Sequence, residues 1–243
     1  LADGSVLAWG DDGNAQLGSG TPGSNQLSPV PVAGLPTSVV AVAAGELHSL
    51  ALLVDGSVWA WGANYLGQLG IGPGVSFSAP TVVSGLTDIV QISAHGSTSL
   101  AVDTNGDLWG WGESQGVIES LGAPDREGPY RYTPIRVNPN ELPPIVEASI
   151  GQYHAVAREA DGSVWGWGSN GYGEMGEPSS IDYFPPQELT TPSGATSVKA
   201  GANHTLALLE DGTVWAWGRN HQGQVGNGSQ VDADTRAPVA GIA

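Results

Sequence analysis

Apolar residues along this chain come in short runs separated by turn chemistry, and the runs repeat. Val39-Val40-Ala41-Val42-Ala43-Ala44 is an unbroken apolar run of small and β-branched residues, which predicts a fully buried strand. Gly45 ends it. His48 to Val54 predicts a second strand and Ser57-Val58-Trp59-Ala60-Trp61 a third. Between them Asp55-Gly56 is a two-residue hairpin signal of type I′ character, which requires positive φ at both central positions. A glycine-punctuated turn follows from Gly62 to Gly70. After a variable loop, Pro80-Thr81-Val82-Val83 predicts a short outer strand, where an edge position tolerates proline.

The same order recurs along the chain. Inner strands are predicted again over Ile89 to Ala94, Ile145 to Ile150 and Thr196 to Ala200, and second strands over Ser97 to Asp103, Tyr153 to Arg158 and His204 to Leu209. Outer strands are predicted over Pro29 to Val32, Pro134 to Val137, Pro185 to Leu189 and Pro238 to Ala240. The Asp/Asn-Gly turns fall at residues 3, 55, 105, 161 and 211, a period of about 50 residues that signals a repeat architecture. Four strands per unit is the make-up of a propeller blade. The expected fold is therefore all-β, with four complete four-stranded blades and the outer half of a fifth, because the first copy lacks counterparts of Val39 to Leu52. It reads as a single propeller domain over 1–243, with units at about 1–36, 37–86, 87–142, 143–193 and 194–243, and with the possibility of a larger ring of up to seven blades left open.

All nine tryptophans lie in the third strands: Trp9, Trp59, Trp61, Trp109, Trp111, Trp165, Trp167, Trp215 and Trp217. Paired indoles two residues apart share a face. The residue opposite is always small: Ala8, Ala60, Gly110, Gly166 or Ala216. These tryptophans are expected to pack between blades, each heavy flank against the next blade's thin one. The missing inner half of the first copy leaves an unpaired edge that invites self-association.

Net charge is −17, with seven Lys and Arg together, which disfavours nucleic acid and anionic membranes and favours basic partners. The absence of cysteine excludes disulfides, thiol catalysis and zinc–thiolate sites. Acidity, few lysines and abundant small residues lean toward an exported bacterial or extracellular protein. No run of about 18 apolar residues and no signal-type start is present, so the chain reads as a domain or a processed fragment.

Candidate chemistry is sparse. His48, His154 and His204 share a repeat position, but corresponding positions on successive blades stand too far apart for one metal, and a structural hydrogen bond to a neighbouring turn is expected. Asp11-Asp12-Gly13-Asn14 lacks the distal Glu and alternating oxygens of a calcium loop and reads as a polar turn. No nucleophile elbow, phosphate loop or dinucleotide fingerprint occurs. No catalytic residue, metal or cofactor is therefore expected. Two irregular loops, 113–133 and 169–186, carry Arg126, Tyr130, Arg131, Tyr132, Tyr172, Met175, Tyr183 and Phe184. Tyr and Arg are the favoured anchors of interfaces, and loops on a rigid scaffold are where binding resides. Arg126, Tyr130, Arg131, Tyr132, Tyr172, Tyr183 and Phe184 form the expected partner-binding set.

The run from Ala43 through His48-Ser49-Leu50-Ala51-Leu52 and Asp55-Gly56-Ser57-Val58-Trp59-Ala60-Trp61-Gly62 to Gly67-Gln68-Leu69-Gly70 resembles the repeat of the RCC1 (regulator of chromosome condensation) family. Gly201 to Leu208 with Asp211 to Asn220 and Gly223 to Gly226 is similar to it as well. The resemblance covers essentially the whole chain and implies a β-propeller. Family members include a guanine-nucleotide exchange factor and a plant UV-B photoreceptor. The photoreceptor's additional tryptophans have no counterpart at Glu46-Leu47-His48, Gln152-Tyr153-His154 or Ala202-Asn203-His204. The expected function is a non-catalytic protein-interaction module that binds a protein partner through rim loops. The alternatives are an exchange factor for a small GTPase, an assembly module pairing through the open blade edge, or a carbohydrate binder.

Overall fold

The computed structural model describes residues 1–21, 23, 25–113, 129–137, 142–178, 183–190 and 194–241. Eighteen strands and no helix occur among them. They form one two-stranded and four four-stranded antiparallel sheets. The first sheet holds β1 (Leu7–Gly10) and β2 (Gln26–Pro31). The second holds β3 (Val39–Ala44), β4 (His48–Leu53), β5 (Val58–Gly62) and β6 (Phe77–Val82). The third holds β7 (Ile89–His95), β8 (Thr98–Asp103), β9 (Leu108–Glu113) and β10 (Tyr130–Arg136). The fourth holds β11 (Ile145–Ile150), β12 (His154–Glu159), β13 (Val164–Ser169) and β14 (Tyr183–Leu189). The fifth holds β15 (Ala195–Ala200), β16 (His204–Leu209), β17 (Val214–Gly218) and β18 (Ala233–Pro238). Each sheet is a meander in chain order, so every pairing is local. The chain divides into two compact units, Leu1–Ser114 with Asp125–Arg136, and Gln115–Pro124 with Val137–Ala243.

The hairpins are not type I′. Gly56 donates to Leu53 O at 3.0 Å and Leu53 N donates to Ser57 O at 3.0 Å, so the loop has three residues. Gly4, Gly56, Gly106, Gly162 and Gly212 alone take positive φ there, between 76° and 89°. This is the three-residue hairpin that ends in a left-handed glycine. A carboxylate braces each turn; in the third copy it is Asp103, whose Oδ1 accepts the Asn105 and Asp107 N–H groups at 2.9 and 3.0 Å. Asp55 Oδ1 accepts the Ser57 N–H at 3.0 Å and the Ser57 hydroxyl at 2.7 Å, and Asp3, Asp161 and Asp211 cap their turns in the same way. Those hydrogen bonds from Ser and Thr hold the four exposed carboxyls below the ordinary value.

Outer strands begin earlier than the prolines suggest. Phe77, Tyr130, Tyr183 and Ala233 open them, and the last spans Ala233–Pro238 instead of 238–240. Each pairs first with the Trp-Gly glycine or the residue just after it and then shifts register through an irregularity, which holds Pro80, Pro134, Pro185 and Pro186, while Pro238 follows it. The outermost edge needs no proline N–H.

Within each unit the cores lie between consecutive sheets. In the first unit Leu50, Leu52, Val58, Ala60, Leu69 and Val83 of the second sheet pack on Ile89, Ile92, Ala101 and Trp111 of the third. A smaller cluster joins Val32, Val6, Ala8 and Leu35 of the first sheet to Ala51, Leu53 and Trp61 of the second. In the second unit Val156, Val164, Met175, Phe184 and Leu189 pack on Ala195, Val198, Ala207 and Trp217. The thin positions Ala60, Gly110, Gly166 and Ala216 are buried.

Candidate interaction surfaces

Several buried polar side chains clip one sheet to the next. In the turns after β1, β5, β13 and β17, Asp12, Asn64, Asn170 and Asn220 each accept the N–H five residues on, at 2.8–3.1 Å. Gln16, Gln68, Glu174 and Gln224 accept the N–H two residues back, at 2.8–2.9 Å. Asp12 thus has a buried scaffold role. Two donors from the following sheet converge on the carbonyl of that Gln or Glu. Gln68 O takes the Ser99 hydroxyl at 3.0 Å and Trp111 Nε1–H at 2.9 Å. Gln16 O takes Ser49 and Trp61 at 2.9 Å each, and Glu174 O takes Thr205 at 3.1 Å and Trp217 at 2.6 Å.

The register histidines complete two of these clips. His48 Nε2 lies 2.9 Å from Ser99 Oγ, and His154 Nε2 lies 3.1 Å from Thr205 Oγ1. Each hydroxyl hydrogen is already given to a carbonyl, so the imidazole must donate, and Nε2 carries its proton. Gly45, three residues before His48, leaves room for the ring, because a Cβ there would overlap the imidazole. The same spacing recurs at Gly151 and His154 and at Gly201 and His204. Complete burial pushes His48 down to about 4 and holds it neutral. The histidines therefore meet a hydroxyl of the following sheet, with the turn carbonyl one hydrogen bond further on. Ser99→Ala is expected to strand the His48 donor and cost about 1–3 kcal/mol, whereas Ser57→Ala, in an exposed hairpin, costs about 1 kcal/mol or less; chemical denaturation of both variants checks this.

The tryptophans divide into three kinds. Trp61, Trp111, Trp167 and Trp217 are buried. Trp59, Trp109, Trp165 and Trp215 are partly buried, and Trp109 and Trp165 bond within their own sheets, to Asp103 at 3.1 Å and Glu159 at 2.7 Å. Trp9 is 62% exposed, because among the described residues no sheet precedes β1 to give it the turn that seals Trp61, Trp111 and Trp217.

The expected partner-binding residues scatter. Arg126 lies outside the described residues. Arg131 and Phe184 are buried, because strand alternation turns them inward, so they are not surface anchors. Tyr130 and Tyr132 meet edge to face at 6.3 Å on β10. Tyr183 opens β14. Tyr172 is exposed and stands at the centre of a cluster in the second unit. The Arg219 guanidinium lies 5.1 Å from its ring centre, and His221 meets the ring edge-on at 6.1 Å. His221 Nε2 pairs with Asp232 Oδ2 at 3.1 Å, and Asp232 Oδ1 accepts the Asn220 N–H at 2.7 Å. His221 is thus paired, although about half of its side chain is exposed. Beside Tyr172 a notch of about 380 Å³ is lined in part by Glu177, Val231, Asp232 and Asp234. Burial raises the carboxyl of Glu174 under the same turn, and the nearby Asp232 charge adds to this.

Arg236 anchors the turn behind the notch. It donates to Met175 O and to Glu177, at 3.0 Å each, and to Thr190 at 2.8 Å. The bond from Arg236 is the main reason the Glu177 carboxyl sits low. Sequence reasoning missed Arg219, although a cation there, where the other copies carry Asp11, Ala63, Glu113 and Ser169 after Trp-Gly, was a visible departure. Among the described residues no three His, Asp or Glu side chains gather as a metal requires.

A sequence profile of the RCC1-like domain matches residues 1–243. The probable E3 ubiquitin-protein ligase HERC6 of Homo sapiens is 34% identical over 173 residues, which cover 70% of this chain and 17% of HERC6. The ultraviolet-B receptor UVR8 of Arabidopsis thaliana is 32% identical over 191 residues, covering 78% of this chain and 43% of the receptor. The chain thus spans less than half the length of either. Human WBSCR16 superposes with a TM-score of 0.87 at 23% identity over 98% of this chain and 63% of its own. Prp20p of Saccharomyces cerevisiae gives 0.80 at 22%, over 97% and 59%. The chain belongs to the RCC1-like domain family, and its sheets are blades of that β-propeller fold, four complete and one present as its outer half.

Proposed function

We propose that this chain is a non-catalytic protein-interaction module and that its partner engages the turn surface around Tyr172. The observation that carries the reading is the aromatic ring held between Arg219 and His221 beside a carboxylate-lined notch. A tyrosine fixed by its neighbours loses little entropy on binding, and Tyr and Arg supply most hot-spot energy. Glu177, Asp232 and Asp234, with a net charge of −17, favour a basic partner segment. The likeness to Prp20p is in keeping with this, since that protein's structures concern its binding to Gsp1p and histones and its complex with Kap60.

The test is affinity capture from cells with the unaltered chain and with a Tyr172→Ala/Arg219→Ala variant, followed by titration of the captured partner. Loss of a specific partner by at least tenfold in Kd, with folding intact, is the expected outcome. Retention of every partner at unchanged affinity rejects the reading.

A further inference from the structure

The chain has 24 Asp and Glu against seven Lys and Arg, so an arginine without a carboxylate partner is conspicuous. Arg136, Arg158 and Arg236 are each paired, with Asp107, Glu147 and Glu177. The Arg219 guanidinium makes no hydrogen bond and no ion pair among the described residues. It is held instead by the Tyr172 ring, 5.1 Å from its central carbon, and by its own backbone N–H, which donates to Asn203 O at 2.8 Å. Its Nε is enclosed by protein and faces no acceptor. An enclosed donor without a partner is costly, more so on a charged group, and calls for a reason. The two terminal nitrogens are equally unbonded but are not enclosed. The head group is thus fixed on its Nε side and offers the edge formed by Nη1 and Nη2.

We propose that this edge receives the carboxylate of a Glu or Asp side chain in the partner's docking segment, and that a basic residue beside that carboxylate enters the notch. The assignment presupposes that the Tyr172 surface is the docking surface, and it names what the partner must carry. A planar guanidinium matches a carboxylate through two parallel N–H···O bonds. Tyr172 also lines the notch that holds Glu177, Asp232 and Asp234, so the place for an anion and the place for a cation share one ring. Within the notch Asp232 is engaged by His221 and the Asn220 N–H, and one Glu177 oxygen takes Arg236. The exposed Asp234 carboxylate has no hydrogen bond among the described residues and is left for the cation. A purely basic segment would set like charge against Arg219. A phosphate would bring about two negative charges beside the three carboxylates of the notch, where a carboxylate brings one. The partner segment therefore carries both signs, with a single carboxylate for Arg219.

The test titrates three capped peptides into the intact chain: acetyl-Lys-Glu-Lys-amide, its Lys-Gln-Lys counterpart and its Lys-phosphoserine-Lys counterpart. NMR follows the Arg219 Nε–H and the Tyr172 ring. The enclosed Nε–H should exchange slowly enough to be seen, and its loss in Arg219→Lys assigns it. The Glu peptide is expected to shift both signals and to bind about tenfold more tightly than the Gln peptide. Arg219→Lys keeps the charge without the fork and should bring those two affinities to within about threefold of each other. Equal binding of the Glu and Gln peptides to the unaltered chain overturns the carboxylate assignment. So does a phosphoserine peptide that binds more tightly than the Glu peptide, and so does an Arg219 signal that no peptide moves. The Tyr172 ring keeps this outcome separate from the interaction-surface reading. If it shifts alike with all three peptides while Arg219 stays still, the surface stands and only the carboxylate assignment falls. Capture of the cellular partner with Tyr172→Ala alone decides the surface itself.

Discussion

Replacing Trp111 by alanine is expected to cost about 3–5 kcal/mol, whereas the same change at Trp9 should stay within about 0.5 kcal/mol. Both residues occupy the same position of the same repeat. Trp111 is sealed between the second and third sheets and gives its indole N–H to Gln68 O at 2.9 Å. Its removal leaves a large cavity in the Leu50–Ile92 cluster and takes one of two donors from a buried carbonyl. Trp9 has the chemistry but not the neighbour, so little is lost with it. Trp217→Ala should behave like Trp111→Ala, since Trp217 makes the equivalent bond to Glu174 O. Denaturant midpoints of the three variants measure the contrast. Equal losses at Trp9 and Trp111 would show that the indoles act within their own sheets and not across them.

The second large effect is the loss of stability in mild acid. His48 is buried, donates from Nε2 to Ser99, and has no hydrogen-bond partner at Nδ1. Burial moves it from the usual 6.5 to about 4. An unfolded chain takes up a proton below pH 6.5 that the folded chain refuses until about pH 4. His48's contribution is therefore complete above pH 6.5 and is lost as pH falls from 6.5 to 4, for a total of about 3 kcal/mol. Burial lowers His204 and His95 too, which deepens the acid loss in the same direction. Glu174 opposes it, because a carboxyl raised in the folded state gains stability as it protonates above the ordinary 4.5. The expected result is a melting temperature that drops by about 6–12 °C for the His48 share between pH 6.5 and 4. In His48→Gln, whose side chain amide can still donate to Ser99, most of that share should vanish. An unchanged pH profile in the variant would contradict a buried, neutral imidazole.

How far the sequence could be read follows from where each signal resides. Strand positions were legible because β3, β4 and β5 are short apolar runs bounded by turn residues and the copies reinforce one another, but β3, expected to be fully buried, has alternate residues exposed. The small residue opposite each indole was legible for the same reason. The hairpin type was not, because Asp55 could supply either the left-handed residue of a two-residue turn or a side-chain cap. The Ser57 hydroxyl settles it in favour of the cap. The early start of the outer strands was hidden by the bulge beside the Trp-Gly glycines, which no residue pattern announces. Among the candidate site residues, Tyr172 is exposed on its turn. Arg131 and Phe184 had been assigned to loops, but the strands begin just before them and alternation turns both inward. Arg219 and His221 come to Tyr172 from a different sheet, a pairing across some fifty residues that sequence spacing cannot show. The histidine-to-hydroxyl clip is likewise legible only once consecutive sheets are in contact.

Hydrogen exchange of the indole N–H groups, resolved by NMR, tests the inter-sheet account most directly. Protons on Trp61, Trp111 and Trp217 are bonded to the carbonyls of Gln16, Gln68 and Glu174 and should exchange only with unfolding, while the Trp9 proton should exchange at the rate of an exposed indole. Rapid exchange at Trp61, Trp111 and Trp217 under native conditions would contradict it.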